Sequence, residues 1–362
     1  TPMMISRRGL MAGMAALCTA PAFAAQASLD ALVGNCLILG FLGDHAQAEG
    51  AARLEADLAA GRVGGALFLR HNARSRDGVL GLSDCFQSAA PNAWLAIDQE
   101  GGFVQRLTDE MGFTDIPTAE ALAEMGLDAA RPVFAQAARE LAQSGFSMNL
   151  APVADLRHEG NQVIDRWARA FGDDPDTVAA FCGAFIEEME AEGVACAIKH
   201  FPGHGRSQGD SHDGFVDISQ TWGEVEAAPF ERLIEQDKAH LIMGGHLINR
   251  RLDPSGRPVT LSRPVLQGLL REQMGYRGAV ITDDLDMGAI RNQYSREQAI
   301  VDSLAAGNDL LLISNSADAD PDLPRRAVDW VGQAIEDGRL SLERLVDANA
   351  RIAALKMQVR RA

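Results

Sequence analysis

The sequence predicts an α/β protein, a (β/α)8 TIM barrel, and three observations predict it. Eight short apolar runs recur along the chain, helix-patterned segments follow most of them, and 362 residues suit one barrel-sized core. Strands that alternate with helices imply a parallel sheet. A doubly wound dinucleotide-binding sheet would need a glycine fingerprint after its first strand, and Gly40-Phe41-Leu42-Gly43 does not supply one.

The strand runs are 35–41, 64–69, 93–97, 147–150, 194–198, 240–243, 279–282 and 309–313. Helical periodicity marks 46–60, 174–192, 222–236, 264–274, 296–306 and 325–337. The stretch 341–359 reads as a closing amphipathic helix with Leu342, Leu345, Ile352 and Leu355 on its apolar side. No linker or low-complexity run interrupts this order, so 25–362 is expected to form one domain.

Hydrophobic residues make up 47% and charged residues 23% of the chain, the balance of a globular protein rather than a disordered one. A net charge of -17 argues against nucleic acid and anionic membranes as partners, because phosphate binding needs a concentrated basic face. The N-terminus reads Arg7-Arg8, then a short alanine-rich apolar run, then Ala22-Phe23-Ala24. This resembles a bacterial twin-arginine signal peptide over 1–24, too short to span a membrane stably, and predicts an exported, periplasmic protein with no stable membrane anchor. Cys36 and Cys196 fall in strand-like runs and Cys85 and Cys182 in helix-like ones, without CxxC spacing, so free thiols are expected although an oxidising periplasm would permit a disulfide.

Chemistry concentrates where strand runs end. After the fifth run comes Lys199-His200-Phe201-Pro202-Gly203-His204-Gly205, then Asp210-Ser211-His212. His200 and His204 are four apart, but Pro202 and the glycines oppose a helix and no Glu lies between them, so a metal pair is not expected. Asp210 and His212 can lie on one side of an extended loop, the carboxylate orienting the imidazole. The third run ends in Asp98-Gln99-Glu100-Gly101-Gly102 with Gln105-Arg106 behind it, a carboxylate and a guanidinium able to hold the polar groups of a ligand by directional hydrogen bonds; a salt-bridged turn would look the same. The sixth run delivers His246, equally a pocket wall or a satisfied core histidine. The seventh delivers Asp283-Asp284-Leu285-Asp286: a carboxylate there is costly to bury without a task, which singles out Asp283, while Asp284 and Asp286 read as turn or network residues.

The ungapped Lys199–Gly205 segment with its Asp210-Ser211-His212 partner resembles the KHFPGHG and DSH signature of the NagZ-like, single-domain β-N-acetylhexosaminidases of glycoside hydrolase family 3. The 98–106 segment resembles that family's DQEGGRVQR, except that Phe103 stands in place of an arginine, and 282–287 resembles its [ST]DDLxM. The family's VIGxRSFG pattern aligns Arg169 by its spacing to Phe171-Gly172, with two extra residues before it and Arg166 as the rival by distance from Val163-Ile164.

What the resemblance implies is a retaining exo-β-N-acetylhexosaminidase acting on terminal β-linked N-acetylglucosamine in peptidoglycan-derived or chitin-type oligosaccharides. Asp283 would be the nucleophile, His212 the acid and base, and Asp210 its orienting partner. Asp98, Arg106, Arg169, Lys199 and His200 would bind the sugar, and no cofactor or metal is implied. A family 3 β-glucosidase and a non-catalytic muropeptide-binding protein are the alternatives. Many glucoside-acting relatives carry an additional C-terminal domain, which the resemblance to the single-domain branch does not lead one to expect after 341–359. Glu100 and His204 would be the next proton donors to consider.

Overall fold

The structure is a computed structural model that describes residues 28–209 and 214–359. The signal-like segment 1–24 and the residues Asp210, Ser211 and His212 lie outside the described residues.

Eight parallel strands form one sheet: β1 (Leu37–Gly40), β2 (Gly65–Phe68), β3 (Trp94–Ile97), β4 (Met148–Asn149), β5 (Ala195–Phe201), β6 (Leu241–Gly244), β7 (Ala279–Thr282) and β8 (Leu311–Ile313). Their spatial order follows the chain from β1 to β7, and β8 pairs with β1. A parallel bridge between Ile281 and Leu310 joins β7 to the start of β8, and Thr282 Oγ1 accepts the Leu312 amide at 2.9 Å. The sheet therefore closes on itself as a barrel, and all eight sequence-predicted runs lie in it. Every residue of these strands is buried, because helices cover the outer face and side chains fill the interior.

The helices stop and start where local chemistry directs. Ser295 caps Arg296–Ala306 in a reciprocal box with Gln298, and Asp174 caps Pro175–Ala191, whose Pro175 occupies a first-turn position that needs no amide donor. Asp309, fully buried just before β8, accepts from Arg271, Arg344 and Arg351, with nearest distances of 2.9, 2.6 and 3.3 Å. It also accepts the Val280 amide, so one carboxylate ties β7, β8 and the closing helix Leu342–Val359 together.

Several boundaries differ from the sequence reading. Cys36 ends the helix Leu29–Cys36, which Ser28 caps at its start, instead of opening β1. The 222–236 segment splits into a 3-10 turn, Glu224–Ala227, and a helix, Ala228–Glu235, with Pro229 in the first turn of the latter. Pro264–Gln273 winds as a π-helix. The helices Arg76–Ala89 and Leu127–Gln143 fall outside the predicted segments, and Pro132 interrupts the periodic signal of the second. Cys36, Cys85, Cys182 and Cys196 are all free thiols. Among the described residues no helix is long and apolar enough to cross a membrane.

Candidate active site

A cavity of about 290 Å³ opens at the C-terminal ends of the strands. It gathers Asp98 and Glu100 from the segment after β3, Arg169 from the loop after β4, Lys199 and His200 from β5, and Asp283 from the end of β7. Such a mouth is where a barrel presents side chains from many strands to one ligand.

Lys199 and His200 are adjacent in β5, and adjacent residues of a regular strand point to opposite faces. Here β5 carries one residue more than β6 between the pairs Ile198↔Ile242 and Phe201↔Gly244. That irregularity re-aims the backbone, and both side chains line the cavity. The sequence reading placed them just past the strand; they lie within it.

The floor is a charge network. Lys199 Nζ lies 3.0 Å from Asp98 Oδ1 and 2.7 Å from Glu100 Oε1, and Asp98 Oδ2 receives Arg106 Nη2 at 3.2 Å. Glu100 also receives both Nε and Nη2 of Arg169 at 2.8 Å each. Burial alone would raise the two carboxyls, but the cations win. Lys199 and Arg106 bring Asp98 below the ordinary carboxylate range, and Arg169 and Lys199 hold Glu100 far below it. Lys199, only 3% exposed, is driven down by burial but raised on balance by Glu100 and Asp98, and stays charged. Glu100 is thus fixed as an anion and is no proton donor. Of the two rival arginines, Arg169 enters the cavity; Arg166 is exposed, with its guanidinium 4.9 Å from the Trp167 ring centroid.

Asp155, fully buried after β4, organises the histidine loop. It accepts from His200 Nδ1 at 2.7 Å and from the His204 amide at 2.8 Å, leaving His200 Nε2 for the cavity side. Burial raises its carboxyl, but His200 and His204 bring it down on balance. His204 bonds Ser207 through Nδ1 at 2.6 Å, while its Nε2 is buried without a protein partner. Burial, with the neighbouring His200, lowers His204 to about 4, so it is neutral near pH 7 and poorly suited to donate a proton. Arg106 Nε is likewise unpartnered. Two residues lining the cavity thus keep polar atoms with no protein partner.

Asp283 sits where β7 ends. Burial raises it, yet His246, His200 and the Asp284 amide, which donates to Oδ1 at 2.8 Å, bring it below the ordinary range. It is a carboxylate facing a cavity. Asp284 also lines the cavity, but its Oδ1 accepts the Asp286 and Ser314 amides, and burial raises its carboxyl to about 6. Asp286 is engaged by Arg296 at 3.1 and 3.0 Å. His246 is fully buried between Thr260 Oγ1 and the Asp284 carbonyl, 2.8 Å from each, a satisfied core histidine.

Asp98, Arg106, Arg169, Lys199, His200 and Asp283 therefore share one cavity, whereas Asp210 and His212 lie outside the described residues. The sequence reading assigned no role to Glu100 beyond a reserve donor and none to Asp155. Both stand inside quoted motifs, at 98–102 and 149–155, and the available signal was an acidic residue flanked by glycines or ending an apolar run.

A closed parallel barrel whose mouth holds an ionised carboxylate among cations and further carboxylates has the architecture of a glycoside hydrolase. The model of the glycosyl hydrolase family 3 N-terminal domain matches residues 40–355, and the chain belongs to that family. A β-hexosaminidase from Nitrosomonas eutropha is 33% identical over 289 residues, covering 77% of this chain and 81% of its own. β-Hexosaminidase A of Pseudoalteromonas piscicida is 30% identical over 321 residues; the match covers 82% of this chain and 54% of that longer protein. The structure of a family 3 β-N-acetylglucosaminidase from Paenibacillus superposes with a TM-score of 0.83 at 32% identity, covering 92% of this chain and 63% of that one.

Proposed function

We propose that this protein is a retaining exo-β-N-acetylhexosaminidase that removes terminal, non-reducing β-linked N-acetylglucosamine from oligosaccharides. One observation supports this above others: Asp283, held as a carboxylate at the end of β7, lines the same cavity as the charged cluster of Asp98, Glu100, Arg169 and Lys199. An ionised carboxylate beside a sugar-sized cleft is poised to attack an anomeric carbon. The relatives named β-hexosaminidase support the N-acetyl specificity.

In this reading Asp98, Arg106, Lys199 and His200 hold the hydroxyls of the terminal sugar, together with Arg169. Asp283 attacks the anomeric carbon and forms a glycosyl ester as the leaving oxygen takes a proton from His212. The now neutral imidazole then removes a proton from water, which attacks the same carbon and releases Asp283. A histidine in this role has a physical benefit, because once deprotonated it is neutral and does not repel the nucleophile as a second carboxylate would. Asp210 orients it.

Nitrophenyl N-acetyl-β-glucosaminide should be cleaved far faster than nitrophenyl β-glucoside, and NMR should show the β-anomer released first. Preference for the glucoside would make the protein a β-glucosidase, and binding of muropeptide without turnover would make it a binding protein. Export is part of the proposal, motivated by Arg7-Arg8 before a short apolar run. Replacing both by lysine should retain the enzyme in the cytoplasm, and unchanged periplasmic activity would remove that element.

A further inference from the structure

Phe103 and Trp167, which both line the cavity, stack face to face, their ring centroids 3.7 Å apart and their planes within 12°. They come from different loops. Phe103 stands at the turn between the short strands Gln99–Gly101 and Val104–Gln105, and Trp167 closes the 3-10 turn Asp165–Trp167 after β4. Each loop is pinned without the other's ring. The hairpin turns on Gly101 and Gly102, both at positive φ, and its Gln99 bonds the backbone of Leu107. In the other loop Asn161 accepts the amides of Val163 and Ile164, Asp165 accepts that of Gly160, and Val153, Val163, Ile164 and Ala170 form a small core beneath. The stack is therefore preorganised rather than the means by which the loops hold together.

Its position in the cavity is at the mouth. Lys199 and His200 at the floor are 3% and 7% exposed, whereas Phe103 retains 50% exposure despite the ring stacked on it. An aromatic side chain half open to water beside a reactive cavity leaves apolar area to be covered by a ligand. Pyranoses with equatorial substituents present a flat face of C–H groups that packs on such a ring, while their hydroxyls and acetamido groups remain at the rim. An exo-acting enzyme places the terminal sugar at the floor, so the unit that reaches the mouth belongs to the leaving group.

We infer that Phe103, backed by Trp167, is the binding platform for the leaving-group sugar, selecting substrates in which a second pyranose follows the terminal N-acetylhexosamine. This rests on the hydrolase reading and deepens it by naming where the second sugar binds. It also assigns a purpose to the aromatic residue at position 103 and to the residues added before Arg169.

The test compares two substrates, N,N'-diacetylchitobiose and N-acetyl-β-glucosaminyl fluoride, which has no leaving-group sugar. Phe103→Ala and Trp167→Ala should lower kcat/KM for the disaccharide roughly tenfold, mostly through KM, while that for the fluoride stays within about twofold; a tenfold loss corresponds to about 1.4 kcal/mol. Phe103→Tyr, which keeps the ring, should behave as wild type. Fluoride turnover also reports that each variant is folded. Equal losses on both substrates would place the rings in the terminal-sugar pocket, and unchanged kinetics on both would reduce the stack to surface packing; either result overturns the platform. A wild-type protein inert to both compounds would instead overturn the hydrolase reading, and the platform with it.

Discussion

Glu100 and Arg169 meet in a bidentate pair, Oε2 to Nε and Oε1 to Nη2 at 2.8 Å each, and the same Oε1 receives Lys199 at 2.7 Å. A planar guanidinium matched to a carboxylate in this way is fixed in two directions at once. Three side chains from three segments thereby hold one another's orientation. Arg169→Lys keeps the charge but can no longer form both bonds, and should raise KM for the nitrophenyl N-acetylglucosaminide about tenfold with a smaller change in kcat. Glu100→Gln leaves Lys199 and Arg169 without the anion that bonds both of them and should cost about 3 kcal/mol of stability, read from the urea midpoint. An unperturbed midpoint would show that the network relaxes without its central anion.

Asp283→Ala should stay folded, because the carboxylate's hydrogen bond is to the neighbouring Asp284 amide rather than to a charged side chain. Turnover should fall by on the order of 10⁴–10⁶. A fluorinated sugar that traps the glycosyl ester should add one sugar mass to the wild type and none to the variant. Retained turnover in Asp283→Ala would move the nucleophile to Asp284, despite that residue's engagement with the Ser314 and Asp286 amides.

If His212 is acid and base in turn, His212→Ala should harm poor leaving groups far more than good ones, since only a poor leaving group needs a proton to depart. With an activated aryl substrate the intermediate should accumulate, giving a burst, kcat down by on the order of 10²–10⁴ and a lowered KM. Asp210→Ala should give a milder form of the same pattern. Equal losses for every leaving group, with no burst, would show that His212 only positions the sugar.

Glu226 predicts a pH dependence of stability. It is 1% exposed, accepts the Gly205 amide at 3.1 Å, and faces Arg206 at 3.3 Å. Burial first, then the charge of Asp155, raise it from 4.5 to about 7, with Arg206 and the amides opposing. In the unfolded chain it loses its proton near 4.5 and in the folded protein near 7, so between these values the folded state binds more protons. Stability should therefore fall as pH rises through this window, and below it the group contributes no difference. Glu226→Gln should abolish this component, on the order of 2–3 kcal/mol between pH 4.5 and 8, in denaturant titrations across pH. A wild type and variant with parallel pH profiles would refute the assignment.

The sequence by itself determined the barrel and the ends at which its chemistry collects. Eight apolar runs each long enough for one strand, separated by helical periodicity, leave few other ways to bury both faces of a sheet, and all eight runs contribute strands. The charged residues that follow these runs had to emerge at the strand ends, because nothing charged is tolerated unpaired between the sheet and its helices. Boundaries were less legible: Cys36 belongs to the helix that precedes β1, and Pro132 masks the signal of another.

Tertiary structure alone decided how those side chains face one another. The extra residue in β5 turns both Lys199 and His200 into one cavity, and it is visible only against the register of β6. Arg169 rather than Arg166 enters the site because Glu100, 69 positions away, stands ready to receive it. Phe103 finds Trp167 across two loops whose sequences carry no sign of each other. Local pattern dictates which face of an element is buried, whereas pairing between distant segments depends on strand register and loop closure, quantities that no short stretch of sequence contains.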